Sequence, residues 1–148
     1  MKTHRSLMSV LKNPAWICFT WFGMTAGISL LATPVRFTVD SMTRPVSLDV
    51  ARVIFMALNK AEFVALIILL IIVRISARAK EQWMFAFALA LILLTQAVWL
   101  IPELSARTDI IIAGGEPPPS ITHGAYSTIE LIKLGILAWL GFHSLQNG

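Results

Sequence analysis

Residues 50–75 read VARVIFMALNKAEFVALIILLIIVRI, and the second half of that stretch, FVALIILLIIV from Phe63 to Val73, holds no polar side chain. With a helical rise of ~1.5 Å per residue and a hydrocarbon core about 30 Å thick, a run of this length and composition is a membrane-spanning helix. The first half differs, because Arg52, Asn59, Lys60 and Glu62 are gathered there. Ionisable groups within a span are costly and face a bundle interior or a cavity, so the asymmetry points to a site.

Working outward, three more apolar runs complete the pattern. The first, about 15–34, follows Asn13 and Pro14, an N-cap and first-turn proline, and ends at Thr33 and Pro34. Lys2, Arg5 and Lys12 precede it, but it is too long for a signal-peptide core and no A-x-A cleavage site follows, so it is expected to be retained. A polar connection with Arg36, Asp40 and Arg44 leads to Ser47 and Asp49, the expected cap and first-turn acid of the second span at 50–75. The third span, about 82–101, is expected to stop at Pro102. A loop from Glu103 to Ser120 with Gly114, Gly115 and three consecutive prolines then leads to the fourth span, about 123–145, capped by Ser120 or Thr122, and to a short tail of Gln146, Asn147 and Gly148.

Composition agrees. Of 148 residues 57% are hydrophobic and 14% charged, with a mean hydropathy of +0.76, too apolar for a soluble domain of this size. The net charge of +4 comes from basic residues beside the apolar runs, so it reflects membrane topology and not nucleic-acid binding. Lys2, Arg5, Lys12, Arg74, Arg78 and Lys80 flank one side of the spans and Arg36, Arg44 and Arg107 the other, which predicts cytoplasmic termini. The expected fold is all-α: one integral membrane domain, an up-down four-helix bundle of the bacterial inner membrane with both termini inside. The single cysteine, Cys18, excludes an internal disulfide, a CxxC pair and a cysteine metal cluster. His123 and His143 stand about 30 Å apart along the fourth helix, so no haem or metal is expected between them. The tryptophans near span ends are expected as interfacial anchors, and Gly23 and Gly27 form a GxxxG expected to pack against a neighbouring helix inside the bundle.

Helical spacing sorts the polar residues into stripes: Arg52, Asn59 and Glu62 with Phe55 and Leu66; Gln96, Trp99 and Glu103; and His123, Tyr126, Glu130 and Lys133 with Leu137. All three, with Lys60, fall in the outer halves of their helices. Lys60 and Glu62, two residues apart, cannot face each other, so at least one needs a partner on another helix, nearest in depth Glu130 or Lys133. An interhelical ion-pair network is expected. Two lysines against two glutamates could serve only to fix helix register; alternatively, intramembrane charges facing an interior line a ligand pocket or ion path.

The segments ATPVRF (Ala32 to Phe37), LDVARVIFMALNKAE (Leu48 to Glu62) and PPPSITHGAYSTIELIK (Pro117 to Lys133) resemble a group of uncharacterised bacterial four-helix membrane proteins and, distantly, the animal transmembrane family linked to platinum-drug resistance. This resemblance implies a fold but no activity. More locally, Arg52, Val53, Asn59, Glu62 and Phe63 resemble the RVxxxxxNxxE(Y/F) pattern of the membrane-associated eicosanoid and glutathione metabolism proteins. That likeness implies glutathione held by Arg52, Asn59 and Glu62 between protomers of a trimer, although Tyr126 is the sole tyrosine and the family's later arginine and tyrosine pattern is missing. The leading expectation is a non-enzymatic membrane protein, without a bound cofactor, whose outer-half polar cavity binds a small ligand or ion. Alternatives are a glutathione-dependent membrane enzyme, or an accessory subunit that docks a partner membrane protein or a second copy of itself.

Overall fold

The computed structural model describes residues 11–75 and 79–146. Lys2, Arg5 and Arg78 of the basic tally, and Asn147 and Gly148 of the tail, lie outside them. Four helices are long and apolar enough to cross a membrane: α1 (Ala15–Arg36), α2 (Arg44–Ile75), α3 (Lys80–Ile112) and α4 (Thr122–Gln146). Among the described residues there is no strand. Short connections join consecutive helices into an antiparallel bundle, with α1 packed chiefly on α4 and α2 on α3. The connections after α1 and after α3 lie at the distal end of the bundle, and the start of α1 and the end of α4 at the proximal end.

Three helix limits differ from the sequence expectation. α2 begins at Arg44, so Ser47 and Asp49 lie inside it and not at its cap. Pro45 explains this, since a proline in the first turn has no N–H to leave unpaired and its fixed φ suits a helix. α1 runs through Pro34 to Arg36, and α3 runs through Pro102 to Ile112. Each helix passes its proline by the same device. A π-helical segment, Gly27–Ala32 in α1 and Gln96–Leu100 in α3, ends just before the proline, with Thr33 N–H bonded to Ile28 O and Ile101 N–H to Gln96 O. The wider turn makes room for the ring that would otherwise collide with the preceding turn. The Thr33 hydroxyl also donates to Ile28 O at 2.9 Å, a side-chain supplement that suits a backbone without access to water. At the start of α4, Ser120 Oγ accepts from the Thr122 N–H at 3.1 Å, as a cap should.

The proximal half is a dry core built from Ile17, Cys18, Trp21, Leu66, Leu69, Val73, Ala86, Leu89, Leu93, Leu137 and Leu140, with neighbours from all four helices. Val64, Ile67, Ile71, Phe87, Leu91 and Phe142 point outward, as lipid-facing positions should. Gly23 and Gly27 also face outward with open space around them, so the GxxxG is not the internal packing face. The close approach of α1 to α4 occurs instead at Gly141, where a Cβ would lie 2.9 Å from Phe19 Cζ. Phe19 in turn meets the edge of the Phe142 ring, at 5.1 Å between centroids. Gly141→Val should therefore destabilise the bundle by about 1–3 kcal/mol through overpacking, whereas Gly23→Ala should stay within roughly 0.5 kcal/mol of the parent; unfolding by denaturing detergent, followed by tryptophan fluorescence, compares the two.

Candidate functional site

Above the dry core, a polar layer crosses the bundle at mid-height, centred on Lys133 of α4. Its side chain is 0% exposed. An ammonium carries three donors, and Nζ lies 2.6 Å from Glu62 Oε1, 2.8 Å from Glu130 Oε2 and 3.1 Å from Gln96 Oε1. Glu62 Oε1 also accepts from Trp21 Nε1 at 3.0 Å and Thr25 Oγ1 at 2.8 Å. Glu130 accepts from Gln96 Nε2 at 2.7 Å on Oε2 and from Ser29 Oγ at 2.8 Å on Oε1. Every helix contributes: Trp21, Thr25 and Ser29 from α1, Glu62 from α2, Gln96 from α3, and Glu130 with Lys133 from α4. The last two are related by one helical turn, which brings them to one face. Two carboxylates meet one ammonium, so with all three ionised the layer carries one excess negative charge in a medium where unpaired charge is expensive.

The local folding explains these positions. Trp21, Thr25, Ser29 and Thr33 recur every fourth residue along α1 and thus form one stripe. Ser29 and Gln96 both lie within the two π segments. On α3 the π segment changes the angular phase, so the inward stripe is Gln96, Leu100 and Thr108. The expected line of Gln96, Trp99 and Glu103 is broken: Trp99 is 57% exposed and Glu103 only half-buried.

Distal to the polar layer the helices part around a cavity of about 750 Å³. Glu130 and Ser29 belong to its floor, Phe55, Leu104, Tyr126 and Leu131 to its walls, and Arg36, Arg44, Arg52 and His123 to its mouth. Tyr126 is buried against Phe55, its ring 5.3 Å away edge-on. Arg52 is paired with Asp49 and with Asp109 across to α3. Among the sequence-predicted residues, Glu62, Gln96, Glu130 and Lys133 come together, and Arg52, His123 and Tyr126 line the cavity above them. Asn59 is buried with its Nδ2 unpartnered among the described residues. Lys60 is exposed on the outer face of α2 and takes no part, which corrects the expected balance of two lysines against two glutamates. Its long stem allows the ammonium to reach toward the interface, which the two glutamates could not do.

The sequence profile of the family described as domain of unknown function DUF4149 matches residues 16–109. The chain belongs to that family. The DUF4149 match takes in Trp21, Thr25, Ser29, Glu62 and Gln96 and stops before α4, so Glu130 and Lys133 lie outside the matched region. No curated protein and no solved structure matches the chain, so the likenesses to the animal family and to the eicosanoid and glutathione proteins gain no support. In the DUF4149 chain, Arg52 and Glu62 of the glutathione-type pattern are each engaged by other side chains of the protein. Among the described residues no three His, Cys, Asp or Glu side chains converge as a metal site.

The charge count makes a stability prediction. Lys133→Met leaves two buried carboxylates without their ammonium and should cost roughly 3–5 kcal/mol. Glu130→Gln leaves a neutral Glu62–Lys133 pair and should cost clearly less. Equal losses in parallel detergent-unfolding curves would mean that charge compensation does not hold the layer together.

Proposed function

We propose that the protein is a binding protein of the bacterial cytoplasmic membrane, with its termini inside, whose distal cavity opens on the extracytoplasmic side and receives a positively charged occupant against Glu130. The orientation rests on the sequence count, in which Lys2, Arg5, Lys12, Arg74, Arg78 and Lys80 flank one side of the spans against Arg36, Arg44 and Arg107 on the other, and the bacterial membrane on the likeness of the chain to bacterial four-helix proteins. One observation carries the functional reading: Glu130 belongs both to the buried network and to the floor of the cavity. Through it, the excess negative charge of a layer otherwise sealed by the bundle is presented to whatever fills the cavity. A positive charge delivered there completes the compensation that Lys133 alone leaves unfinished. A proton, a monovalent metal ion and the ammonium head of a small organic molecule share that chemistry. Binding is favoured over catalysis because the network's groups are held by one another and none is arranged as a nucleophile beside a base.

Saturable stabilisation is the expected signature. Thermal unfolding of the purified protein in mild detergent, titrated separately with sodium, potassium, methylammonium and pH, should show a response to one of them that Glu130→Gln abolishes while remaining folded. Which titration responds identifies the occupant. A parent protein indifferent to all four, or a variant that responds just as the parent does, would overturn the reading.

A further inference from the structure

The mouth of the cavity presents a second, opposite problem. Arg36 closes α1, and its Nε and Nη1 are buried with no hydrogen-bond partner among the described residues. Its guanidinium lies over the Phe37 ring, 4.7 Å from the centroid, which fixes the group in place but satisfies none of its donors. Buried donors without partners are rare and costly, and those of a guanidinium especially so. Arg44 lines the same cavity and also has no carboxylate partner among the described residues. Arg52, a neighbour in the lining, shows the contrast, since it is paired with two aspartates, Asp49 and Asp109. The mouth therefore holds two arginines with no carboxylate partner among the described residues, one of them partly sealed from water.

The cavity also opens sideways. Beyond Gly27, no residue of α1 is fully buried, although its proximal half packs closely on α4. Leu30 of α1 and Leu131 of α4 both line the cavity and are 55% and 58% exposed. In a membrane that exposure is to acyl chains. Arg36, at the end of the span, sits where lipid headgroups lie.

We propose that the cavity mouth is a binding site for an anionic lipid, its phosphate held by Arg36 and Arg44 and an acyl chain leaving between α1 and α4 along Leu30, Pro34 and Leu131. The pairing supplies acceptors for the orphaned guanidinium and covers the apolar gap with one molecule. A free phosphate would satisfy Arg36 but leave the gap open to whatever lipid happened by. The proposal stands on Arg36 and the lateral opening and does not depend on a cation at Glu130.

The test uses the full-length protein, delipidated in mild nonionic detergent, with phosphatidylglycerol, phosphatidylcholine and inorganic phosphate as probes. Native mass spectrometry and thermal unfolding should both show retention of phosphatidylglycerol over phosphatidylcholine, and no effect of phosphate. Arg36→Gln should weaken phosphatidylglycerol binding roughly tenfold, as loss of a charge-assisted contact does, while Arg74→Gln at the other end of α2 should not. Leu131→Trp alters a lipid-exposed position and should obstruct the gap, so it tests the acyl path even where Arg36→Gln proves unstable. Glu130→Gln should retain the lipid, which separates this outcome from the fate of the cation reading. Equal binding of the two lipids, equal stabilisation by free phosphate, or unaltered binding in both Arg36→Gln and Leu131→Trp would overturn the proposal.

Discussion

An ammonium placed between two carboxylates at mid-height in a bilayer has no water to turn to, so its three hydrogen-bond donors must be met by the protein or the helix does not stay inserted in that position. Lys133 meets this requirement with Glu62, Glu130 and Gln96, and in doing so ties α4 to α2 and α3 at one height. The remaining acceptor capacity of the carboxylates draws in Trp21, Thr25 and Ser29 from α1. A slide of α2 or α4 by one turn, about 5.4 Å, would strand a charge, and a slide of α1 or α3 would take away hydrogen-bond partners of the charged groups. Apolar packing between lipid-like side chains discriminates weakly among such registers in a membrane; the polar layer discriminates strongly, in the way buried polar groups set register in coiled coils.

The prolines decide what lies on the distal side of that layer. Pro34 and Pro102 could have ended their helices, and instead each is preceded by a π segment that lets the helix continue. Those segments hold Ser29 and Gln96, so the irregular turns and the network occupy the same level. Proximal to it, regular helices interdigitate into a dry core. Distal to it, α1 no longer packs into the bundle and a cavity takes the place of side chains. Because π-bulges and prolines are recognised causes of helix bending, the cavity is a consequence of backbone geometry encoded in ATPVR and LIPEL and not of small side chains.

The spans of α2 and α4 were legible because charge in an apolar run is conspicuous and a 3.6-residue period assigns it to a face; Glu62, Glu130 and Lys133 follow from that alone. α1 was opaque for the opposite reason. Trp21, Thr25 and Ser29 carry no charge, and each is unremarked in a transmembrane helix, although their fourfold spacing is the trace they leave. On α3 the period itself misled, since a π segment rotates everything beyond Gln96 and sends Trp99 outward. Lys60 could not be assigned from depth, because a long aliphatic stem makes an outward lysine tolerable where an outward glutamate is not. Arg36 was visible only as a loop charge; its significance depends on α1 continuing past Pro34, which the sequence pattern argued against.

The two ends of the cavity have opposite electrostatic character, and this constrains how they can work together. On the proposed reading, a cation moving toward Glu130 from the distal side would pass Arg36 and Arg44, whose charges would oppose it, and the apolar walls between would screen that repulsion poorly. An anionic headgroup seated on those arginines would remove the repulsion, and would itself be held more firmly with a cation below it than without one. Such coupling is reciprocal by thermodynamic necessity: the factor by which the lipid raises affinity at the floor equals the factor by which the cation raises affinity at the mouth. No conformational change is needed for this, because the two charges interact through the cavity itself.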